Sequence, residues 1–130
     1  MAKPAKPIPE GVPQLIPYLT VDDGEKAIDW YQKALGAELV MKMPGPDGKG
    51  VMHSDLKFGN ARLYLADKMP GDKGPKELGG TAVTLHLWAQ DCDALFKKAT
   101  GAGAKVLMPL EDMFWGDRYG QITDPFGHAW

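Results

Sequence analysis

The sequence repeats itself. Leu19 lines up with Leu87, Val21 with Ala89, Ala27 with Leu95 and Ile28 with Phe96, an offset of 68 residues. After the first helical stretch Ala37-Glu38-Leu39-Val40-Met41 lines up with Ala104-Lys105-Val106-Leu107-Met108 at an offset of 67. Self-similarity at a fixed period means that one supersecondary unit is used twice. In a chain of 130 residues each copy is small and cannot by itself bury one face of its sheet.

The pattern within each copy is legible. Residues 14–21 alternate, with Leu15, Leu19 and Val21 on one face and Ile16, Tyr18 and Thr20 on the other; Pro17 lacks an N–H, so this strand is expected to pair weakly there or to lie at an edge. Asp22 is the expected N-cap, with Glu25 three residues on. Ala27, Ile28, Tyr31, Ala34 and Leu35 then recur at helical spacing, and Gly36 suits the C′ position. Strands are expected at 38–43, 51–58 and 61–67, with a Pro-Asp-Gly turn before the second and Gly59-Asn60 as the hairpin turn after it. Residues 68–80, rich in Gly, Pro and charge, read as a mobile connector. The second copy brings a strand at 81–89, a helix capped by Asp91, strands at 105–108 and 117–123, and the turn Asp124-Pro125-Phe126-Gly127. His128-Ala129-Trp130 begins a last strand.

The expected fold is therefore α+β: two repeated βαβββ modules forming cupped, antiparallel-type sheets with helices on the outer face. Residues 1–12 read as a flexible Pro-rich tail and 13–130 as one domain, with module one at 13–67, the connector at 68–80 and module two at 81–130. Sixteen Gly and 11 Pro exclude a long helical bundle. Fifteen Lys+Arg against 17 Asp+Glu leave no charge excess to attract nucleic acid or an anionic membrane. No apolar run suits a membrane span, and the start lacks the apolar region of a signal peptide. The single cysteine, Cys92, excludes an internal disulfide framework and fits a reducing, cytoplasmic setting.

The second face of each sheet carries Ile16, Tyr18, Thr20, His53, Asp55, Lys57, Arg62, Tyr64, Thr84, His86 and Trp88. This is an aromatic and polar set, expected to line a ligand cavity enclosed between the two sheets, the alternative being open sheets facing solvent. Tyr18, Tyr64 and Trp88 are candidates for stacking on a planar ligand, and Arg62 for holding a carboxylate or phosphate. Trp115 and Arg118 lie in a Gly-flanked loop suited to closing over a pocket, the alternative being an Asp117–Arg118 surface turn. His53 and His86 admit metal binding, hydrogen bonding or acid–base work on a substrate, or a structural role. His128 reads as structural, Cys92 as no nucleophile, and Met41, Met43, Met52 and Met108 as core packing.

The stretches IPYLTVDDGEKAIDWYQKALGAELV, VMHSDLKFGNARLYLAD and LHLWAQDCDALFKKATGAGAKVLMPLEDMFWGDRYGQITDPFGHAW resemble the vicinal oxygen chelate superfamily of glyoxalase I, bleomycin-resistance proteins and extradiol dioxygenases. The chain is most similar to its PhnB-like subgroup. The resemblance spans residues 13–130 and implies paired βαβββ modules around a small-molecule site, and a homodimer. It also implies a last strand truncated at Trp130, because relatives continue past the GHAW-like segment. Metal-dependent members take four His or Glu ligands from positions that fall here on Ile16, Tyr64, Thr84 and a residue beyond Trp130, so their metal site is not expected. Some relatives carry a methyltransferase label, which no G-x-G-x-x-G loop in this chain supports. The expected function is metal-independent binding or sequestration of a small organic molecule. The alternative is a lyase, isomerase or dioxygenase with a non-standard metal or acid–base site at His53 and His86. Expected ligand contacts are Tyr18, His53, Arg62, Tyr64, His86, Trp88, Trp115 and Arg118.

Overall fold

The computed structural model describes residues 6–130. Its elements run β1 (Tyr18–Val21), α1 (Gly24–Leu35), β2 (Glu38–Met43), β3 (His53–Phe58), β4 (Ala61–Asp67), α2 (Pro75–Leu78), α3 (Cys92–Gly101), β5 (Lys105–Asp112) and β6 (Arg118–Thr123). Of the expected tail, residues 1–5 lie outside the described residues, and 6–11 are exposed.

Helix α1 starts one residue later than the sequence suggests. Asp23, not Asp22, is the N-cap; its side chain accepts from Lys26 N at 3.1 Å, while Asp22 instead takes the Lys76 ammonium at 2.8 Å. The turn preceding α1 is completed by Asp67 at the end of β4. Its carboxylate accepts from Gly24 N at 2.5 Å and Val51 N at 2.7 Å, pinning the helix start to two strands. Gly36 closes the helix in the left-handed region (φ 76°), where a side chain would be strained.

The first sheet has the order β1-β4-β3-β2, with β1 parallel to β4 and the other pairs antiparallel. Leu19, Val21, Leu56, Leu63 and Leu65 bury their side chains against Ala27, Ile28, Tyr31 and Leu35 of α1. The second sheet pairs β5 with β6. Around that pair the chain rebuilds the first sheet's order. Ile122 and Trp130 exchange backbone hydrogen bonds at 2.9 Å, and Thr84 bridges Ala129 in parallel. The strand expected at 81–89 is thus reduced to an isolated bridge, because its neighbour in the sheet is the short segment 128–130 and a ladder is only as long as its shorter member.

The connector is partly ordered: residues 75–78 form the short helix α2, with Pro75 buried. The methionine expectation fails for three of the four, Met52 alone being half-buried. Met41 and Met43 are 41% exposed and Met108 is 37% exposed, on the outer strands β2 and β5, away from the core.

The modules meet through their helices. Trp30 on α1 donates its indole N–H to Ala102 O at 2.8 Å, just past α3. Tyr31 donates to Asp124 Oδ2 at 2.5 Å, and Trp130 Nε1 donates to the same oxygen at 2.8 Å. The other Asp124 oxygen accepts from Phe126 N and His128 N. This buried carboxylate therefore ties the closing turn of module two to the helix of module one, with both oxygens satisfied. His128 donates through Nε2 to Thr20 O at 2.9 Å, a structural role as expected.

Candidate functional site

The cup expected between the two free sheet faces does not form within one chain. The modules join through α1 and α3, and Tyr18 and Trp88 are 55% and 71% exposed. The sequence-derived candidates fall into two separate clusters.

The first lies on the free face of the first sheet. Alternation along β1, β3 and β4 brings Tyr18, His53 and Tyr64 side by side. The Tyr18 hydroxyl and His53 Nδ1 are 2.8 Å apart. Burial, with the neighbouring Tyr64, pushes the Tyr18 phenol above its ordinary pKa, so it keeps its proton. We assign the phenol as donor, which puts the imidazole proton on Nε2. Tyr64 stands edge-on to both rings, with centroids 4.8 Å from His53 and 5.7 Å from Tyr18.

Arg62, expected to bind an anion, is occupied. It forks onto Asp55, with Nε donating to Oδ1 at 2.9 Å and Nη2 to Oδ2. The two side chains are 19% and 10% exposed, and the hydrogen bond to Asp55 raises the guanidinium pKa further.

The second cluster lines a cavity of about 320 Å³ in module two. One wall is α3, presenting Cys92, Leu95, Phe96 and Ala99; Leu35 at the end of α1 closes the inner side. Leu95 and Phe96 are half-buried, packed against the core and bordering the cavity. The lining also carries a row of rings: His86 lies 4.8 Å from Trp88 and 5.7 Å from Tyr119, and Trp115 lies 6.2 Å from Tyr119. The cavity thus gathers four of the expected contacts, His86, Trp88, Trp115 and Arg118. It adds Tyr119, Phe96, Asp117 and Trp130, which the sequence reading did not single out as ligand contacts. Alternation from Asp117 would have found Tyr119; the helix-borne Phe96 carried no such signal.

Arg118 is not paired with Asp117, as the sequence suggested. Nε and Nη2 donate to the two oxygens of Asp93 at 2.8 Å, and Nη1 donates to Asp112 at 3.1 Å. These bonds raise the Arg118 pKa and lower that of Asp93. They latch the start of β6 to the first turn of α3 and to the end of β5, so the lid-like loop at 113–117 is held at its base.

The two clusters are related by the repeat. Tyr18 and His86 occupy equivalent strand positions at the 68-residue offset, and His53 and Tyr119 precede the equivalent core residues Leu56 and Ile122 by three. Each module therefore carries one tyrosine and one histidine at these places, in opposite order, with ring centroids 5.4 Å apart in module one and 5.7 Å apart in module two.

Metal chemistry finds no donor set. Ile16, Tyr64 and Thr84 offer neither imidazole nor carboxylate. Among the described residues no three His, Cys, Asp or Glu side chains are grouped to hold an ion.

A family model for the Glyoxalase/Bleomycin resistance protein/Dioxygenase superfamily matches residues 12–130. An uncharacterized protein of Mycobacterium bovis is 49% identical over 123 residues, spanning 91% of this chain and 80% of its own length. Among solved structures, the PhnB protein of Bacillus cereus superposes with a TM-score of 0.71 at 17% identity, over 91% of this chain and 96% of that one. The bleomycin resistance determinant of transposon Tn5 superposes with a TM-score of 0.63 at 19% identity, over 91% and 93%. At such identities these two show a common fold.

Proposed function

This chain belongs to the Glyoxalase/Bleomycin resistance protein/Dioxygenase superfamily, and from that premise we propose that it binds a small, planar organic molecule without a metal, as a cytoplasmic homodimer. The observation that carries the reading is the cavity of about 320 Å³ lined by His86, Trp88, Trp115 and Tyr119 together with apolar residues of α3. A pocket with aromatic walls and few polar groups suits stacking, and its size suits a ligand of one to three rings. Tyr18, His53 and Tyr64 form a second contact surface, which a paired copy would bring over the ligand. Arg62 and Arg118 serve as braces through their aspartates rather than as anion receptors.

The reading is tested by titrating a library of planar heterocycles into the protein and following tryptophan fluorescence, with and without chelator. Hits should lose at least tenfold in affinity in Trp88→Ala and His86→Ala and be indifferent to chelator. One tightly held ion per chain, with binding abolished by its removal, would overturn the metal-independent reading. The Tyr18–His53 hydrogen bond favours a second reading, an acid–base lyase or isomerase, in which His53 Nε2 exchanges a proton with substrate. Turnover of any hit, lost in His53→Asn with binding retained, would establish it instead.

A further inference from the structure

Resting on the pocket reading above, we propose that the cavity in module two selects a planar cation, with Asp117 as its counter-charge and the surrounding aromatic rings as its cage. Three observations converge on this. The cavity's lining includes six aromatic or imidazole rings: His86, Trp88, Phe96, Trp115, Tyr119 and Trp130. The faces of the tryptophan, tyrosine and phenylalanine rings among them are electron-rich and attract positive charge. Arg118 is the sole permanent cation among the lining residues, and its donors are turned to Asp93 and Asp112. Three of its five N–H groups are thus spent on carboxylates, and an anionic ligand would have to compete with Asp93 and Asp112 for its charge. Asp117, by contrast, lines the cavity half-buried, and its carboxylate takes part in no ion pair or side-chain hydrogen bond among the described residues. Arg118 is thus held by Asp93 and Asp112, and the carboxylate of its chain neighbour Asp117 is left to the pocket. A cation stacked on these rings would also gain Asp117 as its counter-charge. A neutral ligand would gain the stacking alone.

The test compares three probes of similar shape by isothermal titration calorimetry: N-methylquinolinium, neutral quinoline and 1-naphthoate. N-methylquinolinium should bind at least tenfold more tightly than quinoline at low salt. That advantage should shrink as salt is raised and collapse in Asp117→Asn, while Asp117→Glu keeps part of it and quinoline binds all three proteins alike. Naphthoate binding as tightly as the cation would overturn the proposal, as would equal affinities for quinoline and N-methylquinolinium. If none of the three binds, the pocket reading itself fails and takes this one with it, a result distinguishable from the first two by the silence of quinoline.

Discussion

Tyr31 shows how one side chain can serve both repeats. It is fully buried on α1, donates to Asp124 across the module boundary, and packs its ring against Phe126 and Trp130. Tyr31→Phe removes one of two donors to Asp124 Oδ2 and should cost about 1–3 kcal/mol, read as a lower urea midpoint at neutral pH. The same residue governs the alkaline limb. Burial first, and the Asp124 charge second, push the Tyr31 pKa well above 10.0. The unfolded chain gives up this proton first, so the contribution is fully present below about pH 10 and is lost as pH rises toward the folded value. Urea midpoints of the native protein should therefore fall more steeply above that pH than those of Tyr31→Phe; parallel curves would show that Tyr31 is not the group responsible. Pairings between distant elements, such as Arg118–Asp93, were not legible in the sequence, because no spacing rule announces them. Arg62–Asp55 is a diagonal pair across the hairpin closed by Gly59-Asn60 and follows from its register, yet a reading by composition left both arginines free for a ligand. The misplaced cap has a similar cause. Asp22 and Asp23 are equally good cap residues by type, and only the contact between Asp22 and Lys76 decides between them.

At the scale of elements, the face of each strand was legible because alternation has a fixed period of two, and the buried leucines and valine of β1, β3 and β4 (Leu19, Val21, Leu56, Leu63 and Leu65) follow it. Strand extent was not, because it depends on a neighbour: residues 81–89 alternate as cleanly as β1 yet hold one bridge. Gly120 marks where β6 passes close to its surroundings. A Cβ there would come within 2.9 Å of Phe96 Cε2 and 3.0 Å of Leu110 Cα, so helix and strand both resist. Gly120→Ala should cost about 1–3 kcal/mol and displace Phe96 into the cavity, weakening any pocket ligand. Thermal melts and the fluorescence titration would read both effects. Unchanged melting with unchanged affinity would mean that the strand shifts outward at no cost.

For the whole molecule, the duplication predicted the two halves but not how they face. The expectation of an enclosed hollow within one chain assumed that the free faces turn toward each other. Burial instead favours joining α1 to α3, since Tyr31, Ala99, Ile122 and Phe126 then share one core. That choice leaves Val40, Met41 and Met43 on β2 exposed, together with Val106, Leu107 and Met108 on β5. Apolar side chains on outer strands are the usual mark of an interface with another chain. Sedimentation should give twice the mass of the chain, and the double variant Met41→Lys, Leu107→Lys should return it to the monomer with its circular dichroism intact. A monomeric parent would remove the dimer from the functional reading. No described helix is long and apolar enough to cross a membrane, so these side chains are not explained by a spanning helix.

The reversed order of tyrosine and histidine between the repeats bears on how a guest would lie. If the two faces are apposed across a paired copy, each hollow has a phenol-led wall and an imidazole-led wall, never two alike. A twofold-symmetric assembly would thus present asymmetric receptacles, and a molecule with distinguishable ends would settle head-first in one sense only, giving regioselectivity to a scaffold built from copies of a single unit.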